Sequence, residues 1–264
     1  MNNSFSSAEK TLPILGTPLA LTDYVRCIRD ILAWTRNPRP LVVAPSNTQT
    51  VVLNRHDPVF REWNSACDVF LPDGMPLVWC LNRKGAGLLD RVYGPTLMRE
   101  FLLASPPKIS HYVVGGSEQD LARLKERFKS LNPHLKIVGS YHGSCSPAGE
   151  LAGEDSSHLV EEINRLSPDV LWICFGTPKQ NAWIFRHKPQ IRRGVLLAVG
   201  YALDVNAGSK PDAPLWMQRL GLTWLFRLAS EPRRLLWRYL KYNTLFVWYL
   251  FRDGEILRGA SKAG

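Results

Sequence analysis

No Cys-x-x-Cys pair occurs in this 264-residue sequence, and its five cysteines (Cys27, Cys67, Cys80, Cys145 and Cys174) are scattered, several of them inside apolar runs as small hydrophobes. A reducing compartment is expected. No uninterrupted apolar stretch approaches the roughly 20 residues that a membrane-spanning helix needs. The first ten residues, Met1 to Lys10, lack a basic segment followed by an apolar one, so a secretory signal is not expected. The fingerprint Gly-x-Gly-x-x-Gly is missing, and with it the acid that would reach a ribose, which argues against a dinucleotide-using enzyme. There is no Asp-x-Asp either, a carboxylate pair suited to holding a divalent cation against phosphates.

Acidic residues are outnumbered, 23 against 33 Lys and Arg, for a net charge of +10. Such a balance suits an anionic partner: nucleic acid, a phosphorylated ligand or an acidic membrane surface. The excess is uneven. From Ala207 to Gly264 ten basic residues face four acidic ones, so +6 of the +10 lies in the last quarter of the chain. The length suits one large α/β domain, or a domain with an appendage.

The central pattern is an apolar run, a turn and an amphipathic helix, repeated. Thr22 to Arg36 has helical spacing and stops at Asn37-Pro38-Arg39-Pro40. Leu41 to Ala44 reads as a buried strand that leads through Asn47 into a helix. Asp68 to Leu71 reads as the next strand, followed by the turn Pro72-Asp73-Gly74 and a helix with Pro76 at its first position. If these strands are parallel neighbours, Asn47 and Asp73 open on one crevice at the carboxyl edge of the sheet, where open α/β sheets bind ligands. Asp73 is then a candidate general base, although Pro-Asp-Gly is a good turn whatever the chemistry. Asn47 serves equally as an N-cap. His111 to Val114 leads into Gly115-Gly116-Ser117 and a helix from Glu118 to Leu131, a place where backbone N–H groups can approach a phosphate or where glycines merely make a tight turn. Lys136 to Tyr141 is a strand, His142 to Ser157 a polar surface loop expected to be mobile, and His158 to Leu166 a helix. Asp169 to Phe175 is a strand ending in Gly176-Thr177-Pro178-Lys179-Gln180. There Thr177 and Gln180 fit a capping box, and Lys179 and Gln180 are candidate ligand contacts. Val195 to Gly200 is the last strand, and Asp204 lies in the polar segment that follows it. The alternation predicts a doubly wound, mainly parallel, Rossmann-like α/β sheet covered on both faces.

The last quarter differs. Trp216, Leu220, Trp224 and Phe226 alternate with Arg219 and Arg227, and Glu231-Pro232-Arg233-Arg234 opens a segment ending in Leu245 to Phe251. Four of the nine Trp lie between 216 and 248, interleaved with cations, as an interfacial helix at an anionic bilayer requires. A helix docked on the main domain, or a nucleic-acid surface, would also account for it. The boundary expected is an α/β domain over 1–208 and a basic, aromatic-rich helical appendage over 209–264.

From about Leu41 to Tyr242 the chain resembles the WecG/TagA/CpsF family of bacterial glycosyltransferases. The blocks that carry the resemblance are Asn47, Asp57-Pro58-Val59-Phe60-Arg61-Glu62, Leu71-Pro72-Asp73-Gly74, Arg91-Val92-Tyr93-Gly94, Val113-Val114-Gly115-Gly116, Gly176-Thr177-Pro178-Lys179-Gln180 and Glu231-Pro232-Arg233-Arg234, in that order. The resemblance implies an inverting transferase that moves a sugar, of N-acetylmannosamine type or glucose, from a UDP-sugar to a polyprenyl-diphosphate-linked sugar. It implies surface or exopolysaccharide synthesis at the cytoplasmic membrane face, Asp73 as base, and a basic C-terminal appendage that holds the enzyme at the bilayer and closes over the site.

Inversion needs one base and no enzyme nucleophile, so a single carboxylate suffices. With no Asp-x-Asp, the expected reaction is metal-independent and without cofactor, the departing diphosphate being met by helix N-termini and by Arg227, Arg234 and Arg238. Those arginines would otherwise contact lipid phosphates or water. Asn47, Gly115, Gly116, Lys179, Gln180 and Asp204 complete the expected substrate contacts. Nucleic acid is not an expected partner, and a homo-oligomer is left open. The rivals are a non-enzymatic membrane or nucleic-acid adaptor, in which Asp73 is only a turn, and the dinucleotide-using enzyme already disfavoured.

Overall fold

Strands as continuously apolar as Leu41-Val42-Val43-Ala44 and Val195-Leu196-Leu197-Ala198 can be satisfied only by burial on both faces, and the computed structural model, which describes residues 10–151 and 156–254, buries every one of these residues. The chain runs β1 (Thr11–Ile14), β2 (Thr17–Ala20), α1 (Tyr24–Trp34), β3 (Leu41–Ser46), α2 (Thr48–His56), α3 (Pro58–Asn64), β4 (Val69–Pro72), α4 (Met75–Arg83), α5 (Gly94–Ala104), β5 (Ser110–Val114) and α6 (Glu118–Leu131). It continues through β6 (Lys136–Tyr141), α7 (Ser156–Leu166), β7 (Val170–Ile173), α8 (Lys179–His187), a 3-10 turn (Lys188–Gln190), β8 (Val195–Ala198), α9 (Ala202–Asn206), α10 (Leu215–Arg219), α11 (Thr223–Ser230) and α12 (Pro232–Arg252). The strands form one eight-stranded sheet in the order β1-β2-β4-β3-β8-β7-β5-β6, parallel except for the β1–β2 hairpin.

Strand alternation divides the core in two. Val42 and Ala44 point to one face, packed with Val51 and Val52 of α2, Leu77 and Leu81 of α4, Trp183 of α8 and Phe246, Tyr249 and Leu250 of α12. Val43, Leu71 and Leu197 point to the other, against Ile31 of α1, Phe101 of α5, Leu124 of α6 and Leu203 of α9. The doubly wound α/β class read from the sequence is thus present.

Four details differ from the sequence reading. The hairpin was not foreseen: Pro13 and Pro18 pair with each other in it, and proline masks a strand pattern, while the turn uses Leu15 and Gly16, both at positive φ (48° and 82°). Pro76 is the second rather than the first residue of α4. The capping box at Thr177 does not form, because α8 starts at Lys179 and Gln180 turns inward instead. Within the polar segment after β6, Gly143 pairs with Gly116 and Cys145 with Leu151.

The C-terminal helices pack onto the α/β body. Leu235, Phe246, Tyr249 and Leu250 of α12 are buried, Thr48 Oγ1 donates to Asn243 Oδ1 (3.0 Å), His56 Nδ1 and the Tyr249 hydroxyl are 2.8 Å apart, and Arg55 pairs with Asp253 at 2.9 Å. These bonds make α12 run alongside α2 in the same direction, away from the carboxyl edge of the sheet. Residues 1–9 of the N-terminal segment, and Glu255, Arg258 and Lys262 among the tail charges counted above, lie outside the described residues.

Candidate active site

Parallel pairing puts the residues after each strand at one edge. Ser46 is opposite Pro72, and the Asp73 N–H donates to the Ser46 carbonyl (2.9 Å), so Asn47 and Asp73 emerge side by side as the sequence suggested. Asn47 caps α2, its Oδ1 accepting from Thr50 N–H (3.2 Å), and also lines the cavity, so its two readings coincide.

Asp73 lines a cavity of about 730 Å3 walled by the start of α2, by α4, by the start of α11 and by one face of α12. Arg91 and Tyr93, on the loop before α5, are brought beside it because Val92 N–H donates to the Pro72 carbonyl (2.8 Å). Removal from bulk water pushes the Asp73 carboxyl up to about 6, against the pull of Arg91, Arg227 and the Gly94 N–H, with Asp212 adding to the rise. A carboxylate that ionises near neutrality, in a cavity, is matched to proton abstraction.

A polar network ties this pocket to the C-terminal segment. Arg91, 5% exposed, donates through Nη2 to Thr223 Oγ1 (2.9 Å) and Gln218 Oε1 (3.3 Å), and its guanidinium lies 4.2 Å from the Tyr93 ring centre. Tyr93 donates its hydroxyl to Asp212 Oδ1 (3.1 Å), and Gln218 Nε2 donates to Asp212 Oδ2 (3.2 Å). Burial, with Asp212 and Asp73 adding, holds the Tyr93 hydroxyl well above its ordinary value, so it stays a donor. Sequence reasoning named none of Arg91, Tyr93, Asp212, Gln218 or Thr223 as site residues. Arg91-Val92-Tyr93-Gly94 was singled out only as a block, the available signal being an arginine and a tyrosine immediately before a helix start.

Among charged residues lining the cavity, Asp73 is the single acid, against Arg83, Lys84, Arg91, Arg227 and Arg238. Arg227 stacks 3.9 Å from the centre of the Tyr201 ring. Arg238 is held below its ordinary value by burial, and its Nε is a buried donor without a partner among the described residues. Such an orphan suits an anion that enters from the cavity. Arg234, the third arginine of the expected set, does not line this cavity and is paired with Glu231.

The other expected contacts fall elsewhere on the same edge. Gly116 and Lys179 border a second pocket of about 560 Å3 between the turn after β5 and the start of α8. Gly116, at φ +77°, leaves no room for a side chain, since an added Cβ would sit 2.3 Å from Leu203 Cδ2. The N–H of Gly115 is committed to the Tyr141 carbonyl (2.8 Å), so Gly115 opens the backbone here without offering that donor to a phosphate. Gln180 is 3% exposed: its Oε1 accepts from Gly176 N–H (3.0 Å) and its Nε2 donates to the Ala198 carbonyl (2.9 Å), clamping the ends of β7 and β8. Asp204 pairs with Lys210 (2.9 Å), which also pairs with Glu231 (2.9 Å).

Among the described residues no group of three or more His, Cys, Asp or Glu is placed to hold a metal, and no helix is long and apolar enough to cross a membrane.

Comparison with known proteins gives a coherent set. The model of the glycosyl transferase WecG/TagA/CpsF family matches residues 12–259. An N-acetylglucosaminyldiphosphoundecaprenol N-acetyl-beta-D-mannosaminyltransferase of Bacillus subtilis (strain 168) is 27% identical over 171 residues, 64% of this chain and 64% of the relative, just under two thirds of its length. A protein of the same name from Staphylococcus aureus (strain MW2) is 24% identical over 230 residues, 84% of this chain and 85% of the relative. Another from Bacillus spizizenii is 27% identical over 183 residues, 69% and 67% respectively.

Proposed function

We propose that this chain, which belongs to the WecG/TagA/CpsF family of glycosyltransferases, transfers an N-acetylmannosamine-type sugar from a UDP-sugar to N-acetylglucosamine on a polyprenyl diphosphate, at a membrane surface, in the synthesis of a cell-wall or surface polymer. The observation that carries it is Asp73: one carboxylate, raised to about 6, the single acid among the charged residues lining a cavity large enough for a substrate.

The mechanism follows from that arrangement. Asp73 takes the proton from the acceptor hydroxyl as that oxygen attacks the anomeric carbon from the face opposite the leaving UDP, so one displacement inverts the centre and no covalent enzyme intermediate is needed. Negative charge grows on the departing diphosphate. Arg227 and the unpartnered Nε of Arg238 are the groups that would meet it. We assign the positive charge to these side chains and expect the reaction to proceed without a divalent cation. Gly116, Lys179 and Asp204, on the same edge, are proposed donor contacts, and Arg234 a proposed phosphate contact once it leaves Glu231.

The test is a donor screen. Purified protein is given a panel of UDP-sugars and a prenyl-diphosphate-linked N-acetylglucosamine, with UDP release and product mass followed with and without EDTA. Acceptor-dependent release from one donor, unaffected by chelator, is expected. Release that depends on acceptor but stops with chelator would overturn the metal-independent step alone, and no release from any donor would overturn the assignment.

A further inference from the structure

The cavity does not end at the catalytic pocket. The residues that α12 contributes to it, from Arg238 through Tyr239, Tyr242, Asn243, Phe246 and Val247 to Leu250, recur with the helical period and so form one continuous stripe. Twelve steps from Arg238 to Leu250 at the rise of an α-helix make that stripe about 18 Å long. Its direction is set by the bonds to α2: Asn243 meets Thr48 at the catalytic edge, and Tyr249 meets His56 one α2-length away. The chemistry changes along it. Arg238 lies on the catalytic side of Asn243, Tyr242 and Asn243 follow, and the remote half is Phe246, Val247 and Leu250, faced by Trp79 and Cys80 of α4, with Asn82, Arg83 and Lys84 past them at the end of that helix. Phe246 and Leu250 form the floor, 4% and 6% exposed, while Trp79 and Val247 are the half-exposed lips.

We propose that this apolar half of the trough holds the first isoprene units of the acceptor, an inference that rests on the transferase reading above. The order of chemistry along the cavity is the argument: a base, then the arginines with an unpartnered guanidinium Nε, then an apolar wall without an acid, with Arg83 and Lys84 only past its far end. An acceptor whose hydroxyl-bearing sugar is joined through a diphosphate to a hydrocarbon presents the same three chemistries in the same order. A sugar or a nucleotide would leave the Phe246, Val247 and Leu250 wall facing polar groups, which costs rather than contributes binding. A hydrocarbon gains by leaving water along the whole wall. The lipid is therefore recognised by the protein itself and not only retained by the bilayer.

The experiment uses the full chain in detergent-free buffer without vesicles, so that membrane partition plays no part. Acceptors carry the same sugar and diphosphate on one, two, three or four isoprene units, all below their micelle concentrations, with a methyl diphosphate as the shortest member. The expected result is an acceptor KM that falls by about tenfold per isoprene over the first units and then levels off, with the donor KM constant. Val247→Asp should flatten that dependence and Val247→Leu should keep it, both with melting temperatures near wild type because the position is half exposed. Equal KM values for all acceptors, with transfer intact, would overturn the trough and leave the transferase standing. A dependence unchanged by Val247→Asp would overturn this wall as its origin. No transfer to any acceptor would overturn both.

Discussion

Asp73 pays for its chemistry in stability, and that makes it testable twice. Its carboxyl ionises at about 6 in the folded chain against 3.8 ordinarily, so the native state holds the proton more tightly than the unfolded state, and this group's contribution falls as pH rises from about 4 to 6. Asp73→Asn keeps the shape and removes the charge. It should lower kcat by about 100- to 10,000-fold at pH 8, while melting a few degrees higher than wild type at that pH and converging with it below pH 4. An inactive variant that melts lower at pH 8 would mean that Asp73 is a structural turn. Arg91 holds the same carboxyl down, so Arg91→Gln should move the acid limb of kcat/KM upward on the order of one pH unit, read from the residual activity. The Asn47–Asp73 pair was legible because parallel neighbours place the residues after their strands together. The Arg91, Tyr93, Asp212, Gln218 and Thr223 network was not, since it joins residues up to 132 apart that share no local pattern.

At the scale of elements the sequence was read well where burial imposes a period and badly where a local rule competes with packing. The helix Glu118–Leu131 and the strand Lys136–Tyr141 stand where the periodicity put them. The capping box at Thr177 failed because Gln180 satisfies two backbone groups at strand ends by turning inward, a demand visible only once β7 and β8 are neighbours. The tail's aromatic and basic composition is read as a helical appendage, with a helix docked on the main domain as the alternative, and α12 buries Leu235, Phe246, Tyr249 and Leu250 against the body. Each such side chain contributes about 1.5–3 kcal/mol when buried, and four of them together rival the roughly 5–15 kcal/mol of a whole domain. A chain ending before Pro232 should therefore aggregate or lose its cooperative melt. A soluble truncated chain with a wild-type melting temperature would show that α12 is dispensable to the body.

Over the whole molecule, the apolar surface left uncovered is concentrated on the three C-terminal helices. Trp216, Leu220, Trp237, Leu240, Trp248 and Phe251 are all at least half exposed, with Arg219, Arg233, Lys241 and Arg252 exposed among them. Large aromatic side chains left in water beside cations suit a headgroup layer, where rings lie at the interface and each cation near an anionic surface adds about 1 kcal/mol. On α12 the division is sharp: Phe246 and Leu250 face the trough, while Trp248, with Arg252 5.1 Å from its ring centre, faces out. If the trough holds isoprene units as proposed, one helix would lie on lipid with one side and, on the other, receive a chain drawn from that lipid. We therefore expect the full chain to sediment with vesicles containing anionic phospholipid, less so as salt rises, and Trp237→Ser with Trp248→Ser to weaken that binding about tenfold or more without changing the melting temperature. Because neither tryptophan lines the trough, the double variant should keep its chain-length preference for soluble acceptors while losing turnover on acceptors embedded in vesicles. Loss of both together would merge the two surfaces into one, and unchanged vesicle binding would remove the bilayer from this face.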